Sequence, residues 1–365
     1  MKMVWRFLDT GPLPAANNMA LDKVILTSLG CGQASNTLRF LEFSPPCVLI
    51  GYHQAVELEV EEEYCRQHGI EINRRITGGG NLYLDEGQLG WEIFAHKETR
   101  GIPGNLEDMY RLMCEGVVTG LAKLGVEARF RPKNEIEVEG RKISGSGGTE
   151  MGNAFLYHGT LLTDFDVDTM IKCLKLPINK FDDQQIQTFR RRVICLREVL
   201  GYLPTIPVIK RSLAEGFAEA FKISLEPGDL MENEKLLWEK ELPRFQSEEW
   251  IRGMRPKLQG SSLSVVDWKT RGGFIRVSVL LDQTRHRIKS AVITGDFLAY
   301  PEGSILDLEA AIKDSSSNPS DIMKTLRQFF AVNNMRIPGV EPEDFYHALC
   351  LAISKAGDSQ GQAAV

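Results

Sequence analysis

From Glu135 to Ile143 the chain alternates polar and apolar residues, reverses at Glu139-Gly140, and then enters the small-residue run Ser144 to Thr149. Alternation of period two around a glycine-containing turn is the pattern of an antiparallel hairpin with one face buried. Phe155 to Leu162 supplies the following strand. This segment commits the chain to a sheet, and the rest has to be arranged around it.

Other short apolar runs extend that sheet. Trp5 to Asp9, Leu38 to Phe43 and Cys47 to Gly51 read as strands, the last two separated by Ser44-Pro45-Pro46, which cannot continue a ladder. Helical spacing appears over Asn17 to Leu29 and over Leu106 to Leu124, with Gly125 placed as a C-terminal cap. Glu57 to His68 reads as one polar helix, Thr169 to Leu200 as two helical pieces broken near Pro177, and Lys210 to Phe221 as another helix. The charged stretch Glu232 to Trp250 reads as an outlying helix or a bridge. A second unit begins near Gly260, with strands Phe274 to Leu281 and Ile288 to Thr294 and helices Ile305 to Ile312 and Met323 to Phe330. The fold class is α+β: a mixed sheet flanked by helices, with a smaller α+β domain appended. A length of 365 residues, 43% of them hydrophobic, suits two domains. We place them at 1–250 and 251–356, with a disordered tail at 357–365.

A net charge of −6 gives no basic footprint for nucleic acid. Met1 to Leu8 is too short and polar for a signal peptide, and no run approaches the roughly 20 apolar residues that span a bilayer. The seven cysteines are scattered, without a CxxC pair, and read as reduced thiols of a soluble cytoplasmic protein with neither disulfides nor zinc.

Four places carry possible chemistry. In Arg74-Arg75-Ile76-Thr77-Gly78-Gly79-Gly80, glycine lets backbone N–H groups approach a polyanion, so the loop suits phosphate; the plainer reading is a tight turn with solvated arginines. Its frame is neither a P-loop nor a dinucleotide fingerprint. Lys142 is delivered by a strand to the edge of Ser144-Gly145-Ser146-Gly147-Gly148-Thr149, read as a second flexible loop. There its ammonium either neutralises a carboxylate or phosphate or is simply exposed. Asn134 and Glu135 open the same strand, and Glu135 is the candidate Mg²⁺ ligand. His158, in Tyr157-His158-Gly159-Thr160, either orients a substrate or is a buried structural histidine; His53 is equally ambiguous.

Taken together, Gly51-Tyr52-His53-Gln54, the Arg74 to Gly80 loop, Asn134-Glu135, Arg141 to Ser146 and His158-Gly159-Thr160-Leu161-Leu162 resemble lipoate-protein ligases in order and spacing. The resemblance covers most of the chain and implies the biotin/lipoate ligase fold. Residues 1–225 correspond to the catalytic domain and about 255–355 to the accessory domain, which is expected to pack against or swing over the site. It further implies an ATP-dependent, AMP-forming reaction with Mg²⁺. Lipoate or octanoate becomes an acyl-adenylate and passes to a lysine of a lipoyl domain or a glycine-cleavage-H-like protein. By the same resemblance the glycine loop lines the acyl-adenylate pocket, Lys142 contacts the activated carboxyl, and Ser144, Gly145 and Ser146 close over the nucleotide.

Three departures stand out: Glu135 replaces the family's usual aspartate, Leu84-Asp85 its histidine-aspartate, and Gly147-Gly148 an alanine-containing stretch. The rival reading within the fold is an octanoyl- or lipoyltransferase with a carrier-bound acyl donor. Such relatives carry a nucleophilic cysteine just before the position of Asn134 or shortly before that of His158, and Arg131-Pro132-Lys133 and Asn153 to Tyr157 contain none. That absence places the ligase ahead of the transferase. A non-catalytic binder of lipoyl carriers is the third reading, and a biotin ligase lacks its arginine-glycine adenylate loop here.

Overall fold

The computed structural model describes residues 2–132, 134–175, 187, 190–253, 263–301 and 303–361. By their contacts these form two units. The larger comprises Met1–Leu49, Glu59–Ile76 and Leu82–Ser247. The smaller comprises Glu248–Val365 together with two short excursions of the earlier chain, Ile50–Leu58 and Thr77–Asn81.

The larger unit's strands begin with β1 (Met3–Leu13), β2 (Thr37–Phe43), β3 (Cys47–Ile50), β4 (Glu71–Arg74), β5 (Leu82–Leu84) and β6 (Gln88–His96). It continues with β7 (Arg129–Arg131), β8 (Glu135–Val138), β9 (Arg141–Met151), β10 (Ala154–Leu162) and β11 (Ile223–Pro227). Eight of these form one sheet in the order β11-β1-β2-β6-β10-β9-β8-β7, and β4-β3-β5 form a small second sheet. β1 runs parallel to both β11 and β2, and the pairings from β2 to β8 are antiparallel, so the large sheet is mixed. The helix Leu106–Lys123, whose N-terminus is capped by the Asn105 side chain accepting from the Asp108 N–H (2.9 Å), crosses the helix Ile206–Ala220 closely. Their approach depends on missing side chains: a Cβ on Gly116 would lie 2.1 Å from the Phe217 ring.

Several expectations need correction. Ser144 to Thr149 is no loop, because β9 continues through it and pairs with β10 along its length. The polar helix expected over Glu57 to His68 is two short helices, Val56–Glu59 and Glu62–Gln67. β6, at the centre of the sheet, escaped the reading because Gly90 and Glu92 interrupt its apolar run. The helix expected in the Glu232 to Trp250 stretch is present as Glu232–Phe245, and a π-helical turn follows at Glu249–Gly253. Pro177 and Gly260 lie outside the described residues.

The smaller unit holds a sheet of β12 (Leu263–Lys269), β13 (Phe274–Asp282) and β14 (Arg287–Gly295), all antiparallel. Helices Ser304–Ile312, Pro319–Val332 and Pro342–Gly361 accompany it. Ile275, Val277, Ile293, Phe297, Leu308 and Phe345 are among its core residues. The last helix takes in residues 357–361, which the sequence reading leaves unstructured. No helix among the described residues is long and apolar enough to cross a membrane.

Beneath the helix Ala15–Gly30 lies a buried polar network. Arg39 donates to Asp22 (2.9 Å), Glu92 (3.0 Å), Asn18 (2.5 Å) and Thr10 (3.1 Å). Two carboxylates thus share one guanidinium. Burial, and for Asp22 then the neighbouring Glu92, pushes both carboxyls above their ordinary range. A carboxyl raised in the folded state contributes stability below its unfolded pKa and loses it as pH rises through the folded one. Asp22→Asn is therefore expected to flatten the fall in Tm that begins as pH climbs past about 4, the ordinary carboxylate value. Thermal melts across the neutral range, with wild type alongside, measure the two slopes.

Candidate active site

Strand pairing sets the site out in two rows. Leu41 on β2, Gly90 on β6, Thr160 on β10, Gly145 on β9 and Glu135 on β8 are successive cross-strand partners. In the next row Arg39, Glu92, His158 and Gly147 follow one another on β2, β6, β10 and β9. Cross-strand partners share a face of the sheet, so these side chains project together. The glycines make that face low. A Cβ on Gly147 would meet only the His158 Nε2, at 3.6 Å.

Lys142 lies along this floor. A Cβ on Gly145 would stand 2.7 Å from the Lys142 Nζ, and the ammonium pairs with Glu135 at 3.0 Å. Register slips by one residue between β8 and β9, because Ile136 faces Ser144 while Glu137 faces Lys142. Such a bulge re-aims the neighbouring side chain. The Lys142 backbone is held as well: its N–H donates to Arg192 O (2.8 Å) and its carbonyl accepts from Ile194 N–H (2.9 Å).

Beside Thr160 and His158 is a cavity of about 20 Å³, lined chiefly by apolar side chains including Met19, Leu41, Phe43, Leu49, Leu82 and Leu84. Asp22, Glu92, Arg75 and His158 are the ionisable groups at its wall. That is room for little more than one water. Arg75 is 4% exposed and donates to Leu49 O at 2.8 Å; burial brings its guanidinium down to about 10. Burial and then the Arg75 charge hold the His158 imidazole down to about 3, so it is neutral at physiological pH. Gly90 is fitted to Leu41: an added Cβ would lie 2.6 Å from a Leu41 methyl and 3.1 Å from its carbonyl oxygen. Gly90→Ala is expected to cost about 1–3 kcal/mol as overpacking, read as a lowered urea midpoint.

The remaining sequence candidates divide differently from expectation. Ser146 donates to Asn134 O (2.8 Å), touches Tyr157 Oη (2.5 Å), and lies 3.9 Å from Cys114 Sγ. Asn134 returns a side-chain hydrogen bond to Ser146 O, so these two fasten strand to strand. Ser144 is 1% exposed, and its hydroxyl meets no partner among the described residues. Gly159 makes room for Trp91, 2.3 Å from where a Cβ would stand. Arg74 and Arg75 are both buried, which removes the reading of solvated arginines. Thr77, Gly78, Gly79 and Gly80 belong by contact to the smaller unit. The Gly79 N–H donates to Phe297 O (3.3 Å), a Cβ on Gly78 would lie 2.5 Å from that oxygen, and His53 stacks on the Phe297 ring at 5.3 Å. The backbone that sequence offers to phosphate is here packed against protein.

Glu135, the candidate metal ligand, is neutralised by Lys142. No three His, Cys, Asp or Glu among the described residues are grouped to hold a metal ion. Sequence reasoning missed Asp22, Glu92 and Gly90; the polar pair Asn18 and Asp22, one helical turn apart on an otherwise buried helix, was the available signal.

Comparison with known proteins sorts the alternatives. The model of the lipoyl protein ligase A/B catalytic domain matches residues 14–218. The octanoyltransferase LipM of Kyrpidia tusciae is 32% identical over 268 residues, covering 67% of this chain and 97% of that protein. That of Geobacillus kaustophilus is 32% identical over 274 residues, 68% of this chain and 98% of its own length. Among solved structures, the bipartite lipoate protein ligase of Thermoplasma acidophilum, studied with its E2 lipoyl domain, superposes with a TM-score of 0.63 at 30% identity, covering 71% of this chain and all of that one. P. falciparum LipL1 in complex with lipoate reaches a TM-score of 0.70 at 19% identity, over 90% of this chain and 98% of its own, and shows the fold. A lipoate-protein ligase A bound with ATP superposes at 0.60 with 28% identity, covering 69% of this chain and 100% of that chain. The expectation of an ATP-dependent, AMP-forming ligase is corrected here, since the curated relatives at 32% identity, matched over 97–98% of their own length, are octanoyltransferases. A missing cysteine at two positions weighed too heavily in the ligase's favour. The mixed sheet, the matched domain and these relatives establish that the chain belongs to the lipoyl protein ligase A/B family.

Proposed function

We propose that the chain is an acyltransferase that moves an octanoyl-class acyl group from a carrier-bound thioester to a lysine of a lipoyl-carrier protein, a lipoyl domain or a glycine-cleavage-H-like protein. The similarity to octanoyltransferases over nearly their whole length supports transfer over ligation, and the Lys142 ammonium lying over Gly145, in the row that leads through Thr160 to the apolar cavity, supports acyl chemistry at this site. A fixed cation there can stabilise negative charge as it develops on an acyl carbonyl oxygen. The cavity, closed to about 20 Å³, accepts a hydrocarbon chain once flexible side chains such as Met19 and Leu41 turn aside. His158, neutral beside Arg75, serves as a hydrogen-bonding wall. All seven cysteines are free, which suits the cytoplasm.

The test offers a lipoyl domain lacking its acyl group two donors in turn: the octanoyl thioester of acyl carrier protein without ATP, and octanoate with ATP and Mg²⁺. The acceptor's mass should rise by one octanoyl group with the thioester. No mass gain from the thioester would sink the proposal.

A further inference from the structure

We infer that Cys65 and Cys173 form a paired modification site, which hydrogen peroxide oxidises to a disulfide and a dithiol returns to free thiols. Both cysteines lie in the larger unit, and the inference stands apart from the acyl-transfer reading.

Two segments far apart in the chain build the pair. The helix Glu62–Gln67 carries Cys65, and the helix Val167–Cys173 ends on Cys173. Their flanks are joined backbone to backbone. The Glu61 N–H donates to Cys173 O (2.8 Å), the Lys175 N–H donates to Glu59 O (2.9 Å), and Val60 and Leu174 form an antiparallel bridge between those bonds. The Cys65 N–H donates in turn to Glu61 O (3.1 Å), so Cys65 stands one helical turn from the residue that holds Cys173. The two thiols hydrogen-bond one another. Both are free, and both are 0% exposed.

The partnership changes what burial does to a thiol. Burial disfavours the thiolate, as at Cys47 and at Cys114, which is pushed up to about 11. Cys65 is as deeply buried and moves the other way. The hydrogen bond from the Cys173 S–H holds the Cys65 thiol below its ordinary range, and that same bond, then burial, pushes Cys173 up. Cys65 is therefore the attacking sulfur and Cys173 the resolving one.

The Cys65 thiolate attacks one oxygen of hydrogen peroxide and the O–O bond breaks. Cys65 becomes a sulfenic acid, and the other oxygen leaves as water with the proton the thiol had lost. The Cys173 sulfur then attacks the sulfenic sulfur, the S–S bond forms, the S–O bond breaks, and a second water departs with the Cys173 proton. Two thiols have lost two electrons, and the peroxide has gained them. A dithiol reverses the change by exchange and is itself left as a disulfide. Access asks little of the fold: peroxide is a small molecule, and Cys65 is the buried residue of a six-residue helix whose opening exposes it.

The test exposes the native full-length chain to hydrogen peroxide, unfolds it, alkylates the remaining thiols and maps the peptides by mass spectrometry. The peptide of Cys65 should appear joined to that of Cys173, and dithiothreitol should return both to alkylatable thiols. The linked chain should melt at a higher temperature than the reduced one, because a cross-link between distant segments restricts the unfolded chain. In Cys173→Ala the resolving sulfur is gone, and Cys65 should remain as a sulfenic acid that dimedone traps. Wild-type Cys65 and Cys173 still alkylatable after peroxide, or joined to other cysteines instead of each other, would overturn the inference. So would a linked chain that melts below the reduced one, since the bond would then be forced on the fold and not prepared by it.

Discussion

Lys142→Ala is expected to lower the rate of acyl transfer by roughly 10²–10³-fold, the scale of losing one preorganised donor to a developing oxyanion, while leaving the melting temperature nearly unchanged. The side chain is partly exposed, and its pair with Glu135 belongs to a class worth at most about 1 kcal/mol. The catalytic loss should fall on kcat, because the charge it answers appears only as the carbonyl is attacked. Gly145→Ala gives an independent handle. It keeps the lysine but places a methyl 2.7 Å from the present Nζ, so the ammonium must leave Glu135 or swing off the floor. A smaller loss in kcat is expected, with the apolar cavity untouched. If both variants transfer at the wild-type rate, the cation is a bystander and the carbonyl must be polarised elsewhere.

The contrast between what the sequence revealed and what it hid is physical. The β8-β9 hairpin was legible because polar and apolar residues alternate over Glu135 to Ile143 and reverse at Glu139-Gly140, and the family motifs lie on it and on β10. β6 was not, because a central strand covered on both faces need not alternate, and its Gly90 and Glu92 serve a neighbour's side chain and a buried ion pair. The Ser144 to Thr149 run looked like a loop because small residues punctuate loops. Here they let Lys142 lie flat, and Gly148 keeps clear of Leu156 O, 2.7 Å from where a Cβ would stand. Lys142 and His158 could be named from sequence, but the choice between ligase and transferase could not, since both chemistries place a cation against an acyl carbonyl. Nor could the fate of the glycine loop, because its partner is some 200 residues away in the chain, a separation at which local pattern carries no information.

That loop gives the second large expected effect. Phe297→Ala should destabilise the smaller unit by about 3–5 kcal/mol, the usual range for emptying a buried aromatic position. Phe297 is fully buried, meets Phe345 edge-on at 6.2 Å, and stacks on His53, while its carbonyl oxygen accepts the Gly79 N–H. Amide hydrogen exchange separates two accounts of the glycines. If Thr77 to Gly80 is held by the core of the smaller unit, its amides should exchange faster in Phe297→Ala together with those of β13 and β14, while β6 and β10 keep their protection. If the loop is instead self-supporting and shaped for phosphate, its protection should survive the substitution and rise on adding pyrophosphate to wild type. Faster exchange without any response to pyrophosphate would mean that Gly78 and Gly79 are glycine because Phe297 O leaves no room for a Cβ, and that the Arg74-Arg75 pair enters the larger unit from a loop whose conformation the C-terminal residues determine.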